Sequence, residues 1–366
     1  MNLIIARDEL LKPLGYVTGV VERRQTLPVL SNVLIRSDGE NLSLTGTDLE
    51  VEVVAAVKPR AVDEGTITVP ARKLYDICRA LPAGAEIKLE VSGEKAVLRS
   101  GKSRFTLLTL PGADFPNVEV GTWDITFTMA QEQLKRLLER TQFCMAHQDV
   151  RYYLNGLLLE LGEDRLRAVA TDGHRMGLSE VKLSAGETAE RQAIVPRKGA
   201  LEVGRFLAAI QETTEVRLSP NHIRVSVEDI TLTSKLVDGR FPDYTQVISP
   251  SYQQVMRIGR AALGEALGRV AILANEKYHG ARFTLQSDLL VVTAHNAEQE
   301  EAKEEIAASY GGKEIEIGFN VNYFIDAVNA LEGEEIELGV NDPNSSCVLQ
   351  SPGSSGTRYI VMPMRL

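Results

Sequence analysis

The sequence predicts an α+β protein made of three similar domains, each with two helices packed on antiparallel sheets. The first observation behind this prediction is a repeated stretch of nine residues. Its copies are LSLTGTDLE, LRAVATDGH and LVVTAHNAE, which begin at Leu42, Leu166 and Leu290. In each copy an alternating apolar strand ends in a polar turn, so Asp48, Asp172 and Asn296 hold equivalent places 124 residues apart. That spacing is close to one third of the 366-residue chain.

Two further registers follow in the same order along the chain. VPARK at Val69 and VPRKG at Val195 have FNVNY at Phe319 in an equivalent place. The runs DFPN, RFPD and VMPM form the third register, around Pro116, Pro242 and Pro363. Because three registers agree, we divide the chain into domains 1–121, 122–248 and 249–366. Linkers are expected near residues 119–121 and 249–251.

Each repeat reads as a helix, several alternating strands, a second helix and further strands. In the first repeat the second helix is PARKLYDICRAL, with Pro70 as its expected start. Its apolar face carries Leu74, Ile77, Cys78 and Leu81, and its polar face Arg72, Lys73, Asp76 and Arg79. In QEQLKRLLERTQF of the second repeat the inward residues are Leu134, Leu137, Leu138 and Thr141, and the outward ones Lys135, Arg136 and Arg140. Helices of this kind pack on a sheet and leave a basic strip exposed.

The residue composition indicates the cellular compartment and argues against some kinds of functional site. The three cysteines, Cys78, Cys144 and Cys347, are odd in number and have no CxxC spacing, which argues against a disulfide framework and a cysteine zinc site. The start MNLIIARDELL is too short in apolar residues for a signal peptide, and no stretch approaches a membrane span. We therefore expect a cytoplasmic protein without cofactors or metals.

The charge distribution matters more than the net charge of −10, which is unusual for a nucleic-acid binder. Six helix windows are predicted, and four of them carry a net positive charge. Basic residues on one helix are usually just solvated. Across four equivalent helices they predict a positive lining against an acidic exterior, a field suited to a polyanion on one side only.

Many runs of this sequence resemble the bacterial β sliding clamp family of DNA polymerase III. The runs are LPVLSNVLI, LSLTGTDLE, TVPARKLYDICRALP, FCMAHQDVRYYLNG, VATDGHR, IVPRKG, TSKLVDGRFPDY, ILANEKY and YIVMPMRL. They cover all three predicted domains. The resemblance implies three clamp domains per chain and a head-to-tail homodimer that forms a six-domain ring, with twelve helices around duplex DNA. It also implies a processivity factor that tethers polymerases without sequence specificity.

The resemblance assigns a set of positions to DNA. They are Arg24, Arg72, Gln148, Tyr152, Tyr153, Arg197 and Lys198. A sliding protein needs phosphate contacts, because contacts to base edges would create preferred stopping points. Tyr152 and Tyr153 could equally be core residues of the strand that follows.

Opposite charges near the two ends of the chain suit a heterologous contact that closes a ring. The basic and apolar residues of the first domain that the family places at this interface are Arg99, Lys102, Arg104, Phe105 and Leu107. Those of the third domain are Ile272, Leu273, Glu298, Glu300, Glu301 and Glu304. An acidic run alone is more often a solvated face.

By the same resemblance, the apolar run YIVMPMRL joins residues of the second and third domains in a pocket for short linear motifs. The expected pocket consists of Leu154, Thr171, Gly173, His174, Arg175, Met176, Pro242, Val247, Asn320, Tyr323, Ser346, Ile360, Val361, Met362, Pro363, Met364 and Arg365. Methionine suits a site with many clients because its side chain repacks easily. Alternatively the run is a last core strand, above all at Tyr359 and Val361.

Enzymatic readings find little support. The run Ala96 to Ser103 is a near miss to a phosphate-binding loop, but it has alanine where the first glycine is needed and reads as a hairpin turn. Asp172 and His174 could suggest a metal or catalytic pair, yet no further cluster has ligand spacing. Two hypotheses remain: a non-catalytic DNA-encircling clamp, and an acidic three-domain enzyme or scaffold with a helix-lined cleft. For the clamp the expected partners are double-stranded DNA, a second copy, the polymerase III catalytic subunit, the clamp loader and other polymerases with clamp-binding motifs, and no membrane.

Overall fold

A computed structural model describes residues 1–22, 27–118, 121–183, 190–248, 251–353 and 356–365. The chain forms two compact units. The first consists of Met1–Lys135 and Lys198–Leu236, and the second of Arg136–Arg197 and Val237–Leu366. Most of each predicted linker lies outside the described residues, so the domain boundaries stay a prediction.

Six α-helices occur in the described residues, two in each of the three predicted domains. They are α1 (Arg7–Val20), α2 (Ala71–Ala80), α3 (Gln131–Glu139), α4 (Arg197–Phe206), α5 (Arg260–Ala271) and α6 (Val321–Ala330). The amphipathic assignment of α2 is confirmed, since Leu74 and Cys78 are buried and Arg72 and Lys73 are exposed. On α3 the apolar face is also buried as predicted.

The basic strip predicted on α3 is less open than expected. Arg140 forms an ion pair with Glu332 and donates to the hydroxyl of Thr357 at 3.1 Å. Lys135 donates to the carbonyl of Leu207 at 3.0 Å. These side chains therefore bind protein groups and do not stand free in solvent.

The first unit contains a five-stranded and a nine-stranded antiparallel sheet. The strands of the first sheet are β1 (Asn2–Ala6), β5 (Ala61–Val62), β7 (Glu86–Ser92), β8 (Lys95–Ser100) and β9 (Ser103–Leu108). Their order is β5-β1-β7-β8-β9, so β9 is an edge strand. The strands of the second sheet are β2 (Asn32–Ser37), β3 (Leu42–Thr47), β4 (Val51–Val57), β6 (Gly65–Pro70), β10 (Leu110–Pro111), β11 (Ile125–Ala130), β16 (Thr213–Leu218), β17 (His222–Val227) and β18 (Ile230–Lys235). Helix α1 packs on strands β3 and β4 of the second sheet and on helix α2.

In the second unit twelve strands form one antiparallel sheet. They are β12 (Gly156–Leu161), β13 (Arg165–Thr171), β14 (Arg175–Lys182), β15 (Arg191–Pro196), β19 (Gln254–Gly259), β20 (Gly280–Gln286), β21 (Leu289–His295), β22 (Glu301–Ser309), β23 (Ile315–Asn320), β24 (Glu335–Val340), β25 (Cys347–Gln350) and β26 (Thr357–Val361). The order is β15-β12-β13-β14-β26-β25-β24-β19-β22-β21-β20-β23. Helices α5 and α6 pack together, and α5 covers β21 and β22.

The repeated nine-residue stretch folds alike in its three copies. Strands β3, β13 and β21 each end just before a polar turn. The Asp48 carboxylate accepts the backbone N–H of Val51 at 2.8 Å, and the Asp172 carboxylate accepts that of Arg175 at 2.9 Å. In the third copy the Asn296 amide oxygen accepts the N–H of Glu300 at 2.9 Å. A short side-chain acceptor at this place satisfies turn donors, which explains the residue types of the repeat.

Candidate interaction sites

The second unit contains a buried apolar cluster to which strands of two predicted domains contribute. Its members are Leu158, Val169, Met176, Leu178, Ile194, Phe241, Tyr244 and Ile360. Met176 and Ile360 are register partners on β14 and β26, so β26 completes the cluster. Tyr153, Val237 and Ile248 pack against it and are only partly buried. The cluster thus extends from the interior to the protein surface.

Exposed apolar side chains lie next to this cluster. Pro242 is exposed and lies between cluster residues Phe241 and Tyr244, and Val247 is 39% exposed at the end of a short helix that begins at Tyr244. Met362, just after β26, is 41% exposed. Apolar surface that adjoins a buried apolar cluster is typical of a binding site. Leu154, by contrast, is fully buried.

The segment after β26 is bonded to the turn between β13 and β14 and to strand β23. The N–H of Met362 donates to the carbonyl of His174 at 2.9 Å, and the N–H of Met364 donates to that of Gly318 at 2.8 Å. Tyr359 and Val361 are each 1% exposed and belong to the sheet. These two residues are therefore part of a buried strand, as the alternative interpretation of the run expected. Pro363 and Met364 are half-buried, and Arg365 is exposed.

The turn between β13 and β14 presents its backbone beside that segment. Gly173 has φ of +88°, a left-handed conformation that favours glycine, and His174 is exposed. Thr171 donates to the carbonyl of Arg175 at 2.7 Å, and Asp172 accepts the N–H of His174 at 2.9 Å. Asp172 is therefore engaged in the turn. In the part of the chain that the structure describes, no group of three or more histidine, cysteine or acidic side chains could hold a metal.

Arg175 connects this turn to α6. Its guanidinium donates to the Asp326 carboxylate at 2.5 Å and to the Phe143 carbonyl at 2.7 Å, and it lies 4.6 Å from the centre of the Tyr323 ring. Burial acts to lower the pKa of Arg175, but nearby Cys144 and the bond with Asp326 outweigh burial and raise the pKa. The charged guanidinium thus holds the Tyr323 ring in place.

Two of the remaining pocket residues lie at element boundaries. Asn320 caps α6 by accepting the N–H of Asn322 at 3.0 Å, and it donates to the Tyr278 carbonyl at 3.3 Å. Ser346 directly precedes β25, where Cys347 is the register partner of Val361. Sequence reasoning missed Asp326 and Phe143, which lie 151 and 32 residues from Arg175, and no local motif marks them.

The two tyrosines predicted to face DNA precede β12 in a short helix, Tyr152–Asn155. Tyr152 is 57% exposed and packs edge to face on Tyr153, with 5.8 Å between the two ring centres. Tyr153 packs on the apolar cluster, so the core alternative describes Tyr153 better than Tyr152. Gln148 is exposed in the preceding loop, with φ of +57°.

The predicted cationic positions differ in how free they are. Arg72 is exposed and makes one long hydrogen bond, at 3.4 Å, to the Val21 carbonyl. Arg197 is half-buried and donates to the Met145 carbonyl at 3.2 Å. Arg24 lies outside the described residues.

Lys198 is strongly engaged within the first unit. Its ammonium forms ion pairs with Glu22 at 3.0 Å and with Asp48, and it donates to the Val20 carbonyl at 2.9 Å. Two carboxylates offset its charge. A phosphate contact at Lys198 would have to replace at least one of these partners, which sequence alone did not indicate.

The predicted basic interface lies on the hairpin of β8 and β9, which confirms that residues 96–103 form a hairpin turn. Arg99 and Arg104 are exposed register partners, and like charges directly opposite each other are destabilising. Neither they nor Lys102 form an ion pair with the described residues. Phe105 is half-buried and Leu107 is 7% exposed in the core of its own unit, whereas Leu108 is 69% exposed. Leu108 is thus an outward apolar residue that sequence reasoning missed.

The predicted acidic interface lies on β22 and the turn before it. The first part of β22 pairs only with β21, since the pairing with β19 is limited to Ala308 and Ser309. Glu298 is exposed, and Glu300 is bonded to Asn296. Glu304 accepts two hydrogen bonds from Arg269 at 2.8 Å.

Around this acidic edge lie a further acidic side chain and the predicted apolar centre. Glu301 lies 4.0 Å from His295. Near the end of α5, Ile272 is 76% exposed and Leu273 is half-buried. A large exposed isoleucine beside a partly unpaired strand is the kind of surface that an interface covers.

Comparisons with known proteins cover the whole chain. Family models of the DNA polymerase III beta subunit match as N-terminal domain (residues 1–119), central domain (128–243) and C-terminal domain (245–365). The beta sliding clamps of Pseudomonas putida and Escherichia coli K12 are 51% and 47% identical over 100% of both chains.

Solved structures agree with these relatives. A clamp from Pseudomonas aeruginosa bound to griselimycin is 49% identical with a TM-score of 0.96, and one from Caulobacter crescentus with PEG bound is 37% identical with a TM-score of 0.94. Both are covered in full, as is this chain. The expected fold class of three α+β domains with antiparallel sheets is thereby confirmed.

Proposed function

Because this chain belongs to the DNA polymerase III beta subunit family, the β sliding clamps, we propose that it is a processivity factor that encircles duplex DNA and tethers polymerases. The protein performs no catalysis of its own and needs no cofactor. It works in the cytoplasm, where the replicated DNA lies. No helix among the described residues is long and apolar enough to cross a membrane.

The observation that carries this proposal is a pair of strand edges with opposite charge. β9 is a sheet edge, Arg99 on β8 and Arg104 on β9 are exposed, and the first part of β22 has one unpaired side and carries Glu301, Glu304 and Glu305 with one lysine, Lys303. β9 of one copy pairs with β22 of the next, because unpaired strand edges readily bind another chain. Two such contacts close a head-to-tail homodimer.

At this interface each group has a separate role. The arginines on β9 meet the glutamates, which relieves the like-charge contact between Arg99 and Arg104. Ile272, with Leu273 and Phe105 beside it, supplies the apolar centre. The screened ion pairs fix orientation and leave a ring that can open for loading.

Client proteins bind at the apolar cluster of the second unit. The rim of Pro242, Val247 and Met362 takes the apolar side chains of a short extended motif, above buried Met176 and Ile360. Griselimycin bound to the Pseudomonas aeruginosa relative supports the presence of a ligand site in this family. The polymerase III catalytic subunit, the clamp loader and other polymerases that carry such motifs are the proposed clients.

The helices contact DNA through its phosphates and not through its base edges. Arg72, Arg197 and Gln148 offer donors, and Tyr152 offers an exposed ring. Lys198 contributes less than its charge suggests, since Glu22 and Asp48 already bind its ammonium. No base reading is needed for sliding.

The ring is tested by its topology. The protein is loaded onto a nicked circular plasmid by a clamp loader, separated from free protein by gel filtration, and the plasmid is then cut once. A closed ring stays on the circle, is lost after cutting, and stays on a linear product whose ends are blocked by bound protein. Equal retention on circular and open linear DNA would identify an ordinary DNA binder and contradict the proposal.

The client site is tested by deletion of residues 362–366. This removes Met362 and the bond from Met364 to Gly318 but leaves β26 intact. We expect loss of anisotropy change with a labelled glutamine-leucine-phenylalanine type peptide, an unchanged dimer mass and a small change in melting temperature. Full-strength peptide binding by an intact deletion variant would remove this segment from the site.

A further inference from the structure

A cleft of about 500 Å³ lies in the second unit beside the segment after β26. Its walls include Asn275, Tyr278, Arg282, His295, Met364 and Arg365. Its lining contains two arginines, a histidine and an exposed tyrosine, and no acidic side chain. Only Met364 and Arg365 belong to the client pocket predicted from the sequence, so most of the cleft's lining lies outside that pocket.

The floor of the cleft is the face of β20 and β21 that points away from the core. Ala281 and Phe283 on β20 are fully buried on the core side. Gly280 and Arg282 therefore lie on the opposite face, where Arg282 is the register partner of Thr293. Gly280 has no side chain, which leaves room above the sheet.

The cleft is continuous with the proposed client pocket. Met364, which lines the cleft, is bonded through its N–H to the carbonyl of Gly318. Asn320, a residue of the proposed pocket, donates to the carbonyl of Tyr278 at 3.3 Å. The cleft and the proposed pocket therefore share Met364 and adjoin each other at Asn320 and Tyr278.

The charges at the cleft are available to a ligand. Arg365 is exposed and makes no hydrogen bond or ion pair with the described residues. Arg282 pairs with Glu316 at 3.2 Å, but both side chains are about half exposed, so this pair is easily exchanged for another anion. Lys277 lies 5.1 Å from the centre of the Tyr278 ring and adds a third cation at the rim.

We propose that this cleft binds an acidic segment that flanks the short motif of a client protein. Carboxylates of that segment pair with Arg282 and Arg365, and an apolar or aromatic side chain packs on Tyr278 and Met364. This inference rests on the proposed client pocket and adds to it a second contact that distinguishes clients by their flanking sequence. Since the flank is tethered by the motif, even a weak contact raises affinity.

The test uses labelled peptides and the full-length dimer. One peptide carries the motif alone, two carry six acidic and aromatic flanking residues on one side or the other, and two carry the same flanks with glutamine and asparagine in place of the acids. We expect one acidic flank to bind about two- to fivefold more tightly than its neutral counterpart at low salt, as for one or two exposed ion pairs. Added salt should remove the gain.

Two variants and a matched control locate the effect. Arg282→Gln should remove most of the gain of the acidic flank over the neutral one, Tyr278→Ala should weaken binding of both flanked peptides, and both variants should leave binding of the motif alone unchanged. Arg257→Gln is the control, because Arg257 is likewise an exposed strand arginine paired with a glutamate, Glu337, but lies outside the cleft. It should keep the full gain.

Each outcome decides the matter. If the motif alone fails to bind, the client pocket and this inference fall together. If the motif binds but neither acidic flank adds affinity, or the gain survives Arg282→Gln, only the inference falls. Binding of a single-stranded oligonucleotide that depends on Arg282, without a gain from acidic flanks, would also overturn the assignment to a client segment.

Discussion

The proposed ring depends on apolar contact at Ile272, and its removal gives a sharp test. Ile272 is 76% exposed in the single chain, so Ile272→Ala should not weaken folding of the protomer. In the proposed dimer the partner copy covers the same side chain. We therefore expect the substitution to dissociate the ring while the melting temperature of the protomer stays the same.

The magnitude follows from the exposed surface. Full burial of an isoleucine side chain is worth about 1.5–3 kcal/mol. About three quarters of this side chain is still exposed before association, so each interface gains roughly 1–2 kcal/mol from its burial. A closed dimer has two identical interfaces, which makes the loss about 2–4 kcal/mol, or roughly 30- to 1,000-fold in the dimer dissociation constant.

Sedimentation velocity at several protein concentrations measures this change, and circular dichroism melts measure folding. Ile210→Ala is the matched control, because Ile210 is also an exposed isoleucine, at 41%, but lies outside the proposed interface. It should leave the dimer dissociation constant unchanged, with at most a small fall in melting temperature because part of its side chain is buried. The reasoning is refuted if Ile272→Ala keeps the dimer constant of the unaltered protein, or if it lowers the melting temperature of the protomer at concentrations where no dimer forms.

Three further predictions concern charge. Arg72→Glu should weaken DNA association for every duplex sequence alike and lower the slope of log affinity against log salt by about one unit or more. The control Arg257→Glu should change neither. Fluorescence titrations at several salt concentrations measure the affinity and the slope. Hydrogen bonds from Arg151 lower the pKa of Asp149 to about 2, so their stabilisation is present above the unfolded pKa of about 4 and lost as pH falls towards 2. Arg151→Ala should return the pKa of Asp149 towards 4, measured by NMR titration. Burial raises the pKa of Glu52, so the ionised Glu52 carboxylate lowers the stability of the folded protein. Glu52→Gln should therefore raise the melting temperature at pH 7. The difference between the two proteins should shrink as pH falls, because the Glu52 carboxyl becomes protonated.

The repeat and the helices could be predicted from the sequence because their signals are local. Alternating strands, turn acceptors such as Asp48 and Asp172, and the apolar face of α2 each lie within a few residues. Contacts across the chain have no such signal. The ion pair of Lys198 with Asp48 joins residues 150 apart, and that of Arg175 with Asp326 joins residues 151 apart.

At β9, the sequence indicated the hairpin but not how deeply each apolar residue is buried in its own unit. Phe105 and Leu107 were both assigned to the interface, yet alternation along the strand buries Leu107 and exposes Leu108. Residues Arg104 to Leu107 alternate polar and apolar, but two leucines follow each other at 107 and 108, so the pattern alone does not show which of the two is buried. Only the pairing with β8 determines it.

The place of β26 in the sheet affects how the protein is made. β26 lies between β14 and β25, and it brings together residues 178 positions apart, such as Ser179 and Thr357. While the chain leaves the ribosome, one edge of β14 stays unpaired and its apolar side chains stay exposed until β26 has been synthesised. The second unit can therefore complete its sheet only after translation of β26, and nascent chains that stall before it will need chaperones to avoid aggregation.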